Sequence, residues 1–211
     1  MINRKPEKPT PEPGQSWGLF GGAFDPIHYG HLALAQDIQS ALKLAGVLFV
    51  PSARPPHRNN VCQASFENRC AMTELAVEHL PTFSCCAIER DENLSGYTIH
   101  TIQALKRRHP EVSWYLMVGA DNAGTFDAWY HPDEILAESI LVIGKRPGFA
   151  GKSPTSISAG ERIIWVESRL VDISATNVRQ LAAAQIPTDR FYELVPPAVA
   201  RYIVEHRLYR Q

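Results

Sequence analysis

Apolar residues along this chain fall into short runs that alternate with stretches of helical spacing. A first run closes at Leu19-Phe20, and residues 30–44 then carry Leu32, Ala35, Ile38 and Leu42 at intervals that give a helix one buried face. Residues 47–50 (Val-Leu-Phe-Val) predict a second strand, which stops at Pro51 and gives way to a polar, proline-rich loop reaching about residue 64. Residues 65–80 predict a helix, 83–88 a third strand and 98–108 a third helix. A fourth strand follows over 112–118, then a helical stretch and a helix over 133–138 opened by Pro132. Residues 140–143 and 162–166 read as strands five and six, and 175–184 and 198–205 as terminal helices.

Strands that are apolar throughout, rather than alternating, are buried on both faces; separated by helices, they indicate a parallel sheet. The expected fold is therefore α/β, a Rossmann-like doubly wound sheet of five to six strands with helices on both faces and a small helical C-terminal part. Residues 1–16, with prolines at 6, 9, 11 and 13 among charges, read as a flexible leader to a single domain over 17–211. Sheets of this kind bind ligands beyond the carboxyl ends of their strands, so chemistry is sought just after each strand.

Composition narrows the choice. Hydrophobic residues make up 45% and charged residues 20% of 211 positions, with a net charge of −1, so no global charge points to nucleic acid or an anionic membrane. No apolar run approaches the roughly 20 residues that span a bilayer. Cys62, Cys70, Cys85 and Cys86 lack C-x-x-C spacing and read as reduced thiols rather than a zinc site or disulfide, which predicts a cytoplasmic protein.

After the first strand stands Gly21-Gly22-Ala23-Phe24-Asp25-Pro26-Ile27-His28-Tyr29-Gly30-His31. Paired glycines let the backbone turn closely and present N–H groups to an anion. His31 falls in the first helical turn, where the dipole favours phosphate, and His28 stands at the helix mouth. Gly30 between them leaves room for a nucleotide. Asp25 either shapes the turn with Pro26 or contacts a metal. Near the C-terminus, Ile173-Ser174-Ala175-Thr176-Asn177-Val178-Arg179 opens another helix, with Ser174 as N-cap and Arg179 as a permanent cation.

Together these segments resemble the H-x-G-H nucleotidyltransferases, and the G-G-x-F-D-P-x-H-x-G-H form is similar to that of bacterial nicotinate mononucleotide adenylyltransferases. Four further stretches carry the likeness: Pro51 to Arg58, which ends in P-P-H-R; Gly96-Tyr97-Thr98; Gly119-Ala120-Asp121, followed by Phe126, Trp129 and Tyr130; and Lys145-Arg146-Pro147-Gly148. The resemblance implies transfer of the adenylyl group of ATP to nicotinate mononucleotide, with Mg²⁺ bound mainly through phosphates. It implies ATP contacts from Gly21, Gly22, Phe24, His28, His31, Gly119, Asp121, Ser174, Thr176 and Arg179. His28, His31 and Arg179 would be the catalytic set. The mononucleotide would meet His57, Arg58, Tyr97, Thr98, Arg146 and Trp129, the last stacking on the pyridine ring. Ser52, Gly96 and Ala175 depart from the family pattern. Sibling transferases, such as phosphopantetheine adenylyltransferase, and a silent nucleotide sensor are the competing readings.

Overall fold

In a computed structural model of the chain, the described residues are 8–54, 62–91, 94–145, 162–169, 171–184 and 189–210. The strands are β1 (Ser16–Gly22), β2 (Gly46–Pro51), β3 (Phe83–Cys85), β4 (Ser113–Gly119), β5 (Ile140–Lys145) and β6 (Ile163–Glu167). They form one sheet in the order β3-β2-β1-β4-β5-β6, every neighbouring pair parallel. The order reverses between β1 and β4, the switch point of a doubly wound sheet.

Helices follow as α1 (Tyr29–Leu42), α2 (Phe66–Val77), α3 (Thr98–Arg108), α4 (Ala120–Ala123), α5 (Pro132–Glu138), α6 (Ala175–Ala183), α7 (Asp189–Tyr192) and α8 (Pro197–Glu205). Successive strand side chains point to opposite faces and feed two cores. On one side Val47, Phe49, Met117 and Val142 pack with Leu32, Ala35 and Ile38 of α1, Met72 of α2 and Ile203 of α8. On the other, Leu48, Val50, Leu116, Leu141 and Ile143 pack with Ile99, Ile102 and Leu105 of α3 and Ile135 of α5. This two-sided cover explains the unbroken apolar strands, and the expected α/β sheet is the one observed.

The switch point opens into a crevice. Pairing of β1 with β4 runs from Ser16↔Ser113 to Leu19↔Leu116 and ends there, whereas β1 stays with β2 as far as Gly22↔Pro51. Beyond Leu19 the two central strands part. Gly21 and Gly22 therefore belong to β1 rather than to the turn after it, because they pair with Val50 and Pro51.

Element boundaries differ from expectation in instructive places. The third strand was expected over 83–88 but ends at Cys85; after Cys86 N–H bonds to Phe49 O, the edge chain turns into a 3-10 turn, Ile88–Arg90. That turn swings Glu89 inward onto partners in other elements. The short α7 had no periodic signal. Residues 8–15 run along the fold, with Lys8 Nζ donating to the Val77 and Glu78 carbonyls and Gly14 N–H to Glu111, and Ser16 already starts β1. All four cysteines are free thiols. Among the described residues no helix is long and apolar enough to cross a membrane.

Candidate active site

The first signature forms the mouth of α1. His28 is the N-cap residue, with extended backbone, and its N–H donates to Nδ1 of His31 at 3.2 Å. An Nδ1 that accepts leaves the proton of a neutral ring on Nε2, making that nitrogen the donor. The two imidazoles stack with centroids 3.7 Å apart, and Phe24 and Phe20 hold the His31 ring edge-on from behind, at 5.1 and 6.0 Å. A Cβ on Gly30 would lie 3.0 Å from the His28 ring, so the stacked imidazole leaves little room for a side chain here, and Ile173 O of the second signature lies 3.6 Å from the same point.

The second signature reaches the first directly. Ser174 caps α6 by accepting from Asn177 N–H at 3.2 Å. Arg179, on the same helix, donates through Nη1 to the Asp25 carbonyl at 2.7 Å and through Nη2 to Thr176 Oγ1 at 3.1 Å. Two helix N-termini and a guanidinium thus meet beside the stacked histidines, a concentration of positive potential suited to a polyphosphate.

The Asp25 side chain does something else. Its carboxylate accepts from the N–H groups of Gln63 (2.8 Å) and Ala64 (3.1 Å) and from the Tyr209 hydroxyl (2.9 Å). It ties the signature loop to the segment before α2 and to the C-terminal end, and burial beside this carboxylate pushes the Tyr209 phenol well up. These contacts shape the fold across elements rather than within the turn.

Arg69 escaped sequence reasoning. It is only 2% exposed, and its guanidinium donates to three carbonyls: Ala23 of the signature loop, Ser52 after β2 (2.7 Å) and Ala64 (3.3 Å). The available signal was a charge on the inward stripe of α2, which also buries Met72, Thr73 and Ala76 at helical intervals.

Beside the phosphate end, the crevice holds a cavity of about 370 Å³. Of the expected site residues it is lined by Gly21, Gly22, Tyr97, Thr98 and Trp129; Ser52, Glu89, Thr101, Asn122, Thr125 and Tyr130 join them. Tyr97 and Tyr130 stack at 4.3 Å, and Trp129 leans on Phe126 at 5.4 Å. Gly96 has φ +81°, and a Cβ there would sit 2.3 Å from the Arg54 carbonyl oxygen. The departure at this position is thus matched to a backbone that admits no side chain. Phe24 also has positive φ, at 48°, an uncommon state for a bulky residue that accompanies functional loops.

Gly119 ends β4 and caps α4, and Asp121 lies exposed in the first turn of that helix, outside the cavity lining. His57, Arg58 and Arg146 lie outside the described residues. Among the described residues no group of three or more His, Cys, Asp or Glu is arranged to hold a metal ion.

Comparison with known proteins gives concordant results. Residues 19–181 match the family described as cytidylyltransferase-like. A probable nicotinate-nucleotide adenylyltransferase of Bacillus pumilus is 36% identical over 192 residues, covering 91% of this chain and 97% of that one. A protein of the same description from Lactiplantibacillus plantarum is 37% identical over 205 residues, covering 97% of this chain and 93% of its own length. The solved structure of Plasmodium falciparum nicotinic acid mononucleotide adenylyltransferase complexed with NaAD superposes with a TM-score of 0.72 at 18% identity, covering 92% of this chain and 97% of that one, which establishes a shared fold.

Proposed function

The chain belongs to the nicotinate-nucleotide adenylyltransferase family, and from that premise we propose that it transfers the adenylyl group of ATP to nicotinate mononucleotide. A phosphate oxygen of the mononucleotide attacks the α-phosphorus; the bond from that phosphorus to the β-phosphate oxygen breaks, giving nicotinate adenine dinucleotide and pyrophosphate. The attacking phosphate is already anionic near neutral pH, so the reaction needs no general base.

The observation that carries this reading is the convergence of two segments 154 residues apart, joined by the Arg179–Asp25 bond beside the stacked His28 and His31, next to an aromatic-lined cavity. In our reading the imidazoles, Arg179 and the N-termini of α1 and α6 bind the triphosphate and stabilise the charge that develops on it. Gly21 and Gly22 give ATP its approach; Ser174 and Thr176 add hydroxyls; Gly119 and Asp121 serve the adenosine ribose. Trp129, Tyr97 and Thr98 receive the nicotinate ring, with His57, Arg58 and Arg146 as cations for the mononucleotide.

Mg²⁺ would accompany ATP, held chiefly by phosphates and water rather than by protein side chains, and would neutralise charge on the leaving pyrophosphate. The protein's donor set fits that arrangement: both oxygens of Asp25, the one carboxylate of the first signature, are already engaged. We assign the reaction to the cytoplasm, with support from four free thiols. The test is the fate of label: with ATP labelled at the α-phosphorus, the dinucleotide carries the label. Label recovered in pyrophosphate, or none transferred, contradicts the proposal.

A further inference from the structure

Glu89 has no place in the phosphate chemistry, yet this residue is 7% exposed and forms part of the cavity wall shared with Trp129, Tyr97 and Thr98. One oxygen accepts from Ala53 N–H at 2.9 Å and the other from the Thr101 hydroxyl at 2.9 Å. Two neutral donors satisfy its geometry, and the charge that acts on it among the described residues is that of Arg69. Among the described residues Glu89 makes no ion pair; the nearby cation, Arg69, gives its N–H groups to the carbonyls of Ala23, Ser52 and Ala64. Burial accordingly pushes the carboxyl above its ordinary range, and the two hydrogen bonds and Arg69 pull it back. A buried carboxylate that no ion pair holds is costly to keep ionised, and a cationic ligand would offset part of that cost.

The ring assigned to this cavity supplies a positive charge. The pyridine of nicotinate mononucleotide is N-glycosylated and therefore a pyridinium, and its own 3-carboxylate makes the ring a zwitterion. We propose that Glu89 is the countercharge for the ring nitrogen, a specificity residue that selects a ring bearing a cationic nitrogen over one of the same shape with carbon in its place. The inference rests on the adenylyltransferase reading and deepens it. A cavity of 370 Å³ is about 9 Å across if rounded, so any ring inside it lies within short electrostatic range of its wall. Stacking on Trp129 tolerates any flat ring; a fixed carboxylate does not.

The bland account is that Glu89 only clamps Ala53 and Thr101. Glu89→Gln separates the two, because glutamine keeps an acceptor for Ala53 N–H while removing the charge. The experiment is calorimetric titration of the full chain with nicotinate mononucleotide and with the 3-carboxyphenyl ribotide, in which carbon replaces the ring nitrogen. The wild-type protein is expected to bind the pyridinium ligand roughly tenfold more tightly than the carbon analogue. Glu89→Gln is expected to bring that ratio to within about twofold while leaving affinity for ATP unchanged within the same factor. If Glu89→Gln weakens both ribotides alike, or keeps the preference, the proposal is wrong and Glu89 is a clamp. A wild-type protein with no preference overturns it without any variant. A wild-type protein that binds neither ribotide overturns the adenylyltransferase reading, and this inference with it.

Discussion

The end of the site that we assign to phosphate is made from two short segments that meet, whereas the end that we assign to the ring draws single side chains from the turn after β3, the start of α3 and the stretch from α4 to α5. The groups that we assign to phosphate are helix termini, imidazoles and one guanidinium, held by contacts such as His28 N–H to His31 and Arg179 to Asp25 O. At the end that we assign to the ring, Glu89, Tyr97, Thr98 and Trp129 share a cavity without a common motif. The difference teaches that charge neutralisation of a polyphosphate can be concentrated in local geometry, while a pocket with a shape must be assembled by the whole fold.

The largest effect that would sharpen this contrast is at the phosphate end. His31→Ala removes both an imidazole and the acceptor for His28 N–H. Turnover should fall by about 10²–10³-fold, the cost of losing one preorganised charge-stabilising group, with melting temperature nearly unchanged. Near-normal turnover in a folded variant removes the phosphate assignment. At the ring end, Trp129→Ala should raise the mononucleotide KM by roughly tenfold or more through lost stacking and burial, with ATP affected by less than about twofold. Equal losses for the two substrates would show that the two ends are one.

A smaller effect tests how the ring end is framed. Gly96→Ala puts a Cβ against the Arg54 carbonyl at a residue of positive φ. It should cost about 1–3 kcal/mol of stability and shift the mononucleotide KM more than the ATP KM. A thermal melt and paired KM values decide it. The mildest effect is on the scaffold behind the ring end. Burial pushes the Cys70 thiol up to about 11 and raises Cys85 and Cys86 as well. A raised pKa means less thiolate at every pH below it, so iodoacetamide at pH 8 should label these cysteines more slowly in the folded than in the unfolded chain, with folded-state labelling of Cys70 climbing toward pH 11. Equal rates in both states would mean the β3 edge is open.

The same contrast explains what sequence could and could not say. The signatures were legible because their chemistry is contiguous: a glycine pair, two histidines three apart and a capped helix need only a local frame. Periodicity placed α3 on residues 98–108, as observed, because its buried Ile99, Ile102 and Leu105 keep one face inward. Arg69, Glu89 and Tyr209 were illegible because each is explained by partners far along the chain, 46, 36 and 184 residues away for Ala23, Ala53 and Asp25. Asp25 shows both sides: its place in the motif was obvious, but its carboxylate partners were not. The early end of β3 was hidden for a related reason, since the pull on Glu89 comes from Ala53 and Thr101 rather than from its neighbours.

The most direct test of the central claim is pyrophosphate release by the purified protein with ATP and Mg²⁺, comparing nicotinate mononucleotide, nicotinamide mononucleotide and phosphopantetheine as acceptors. The account predicts strong release with nicotinate mononucleotide and none above background with phosphopantetheine. Release with phosphopantetheine alone, or with no acceptor of the three, would contradict it.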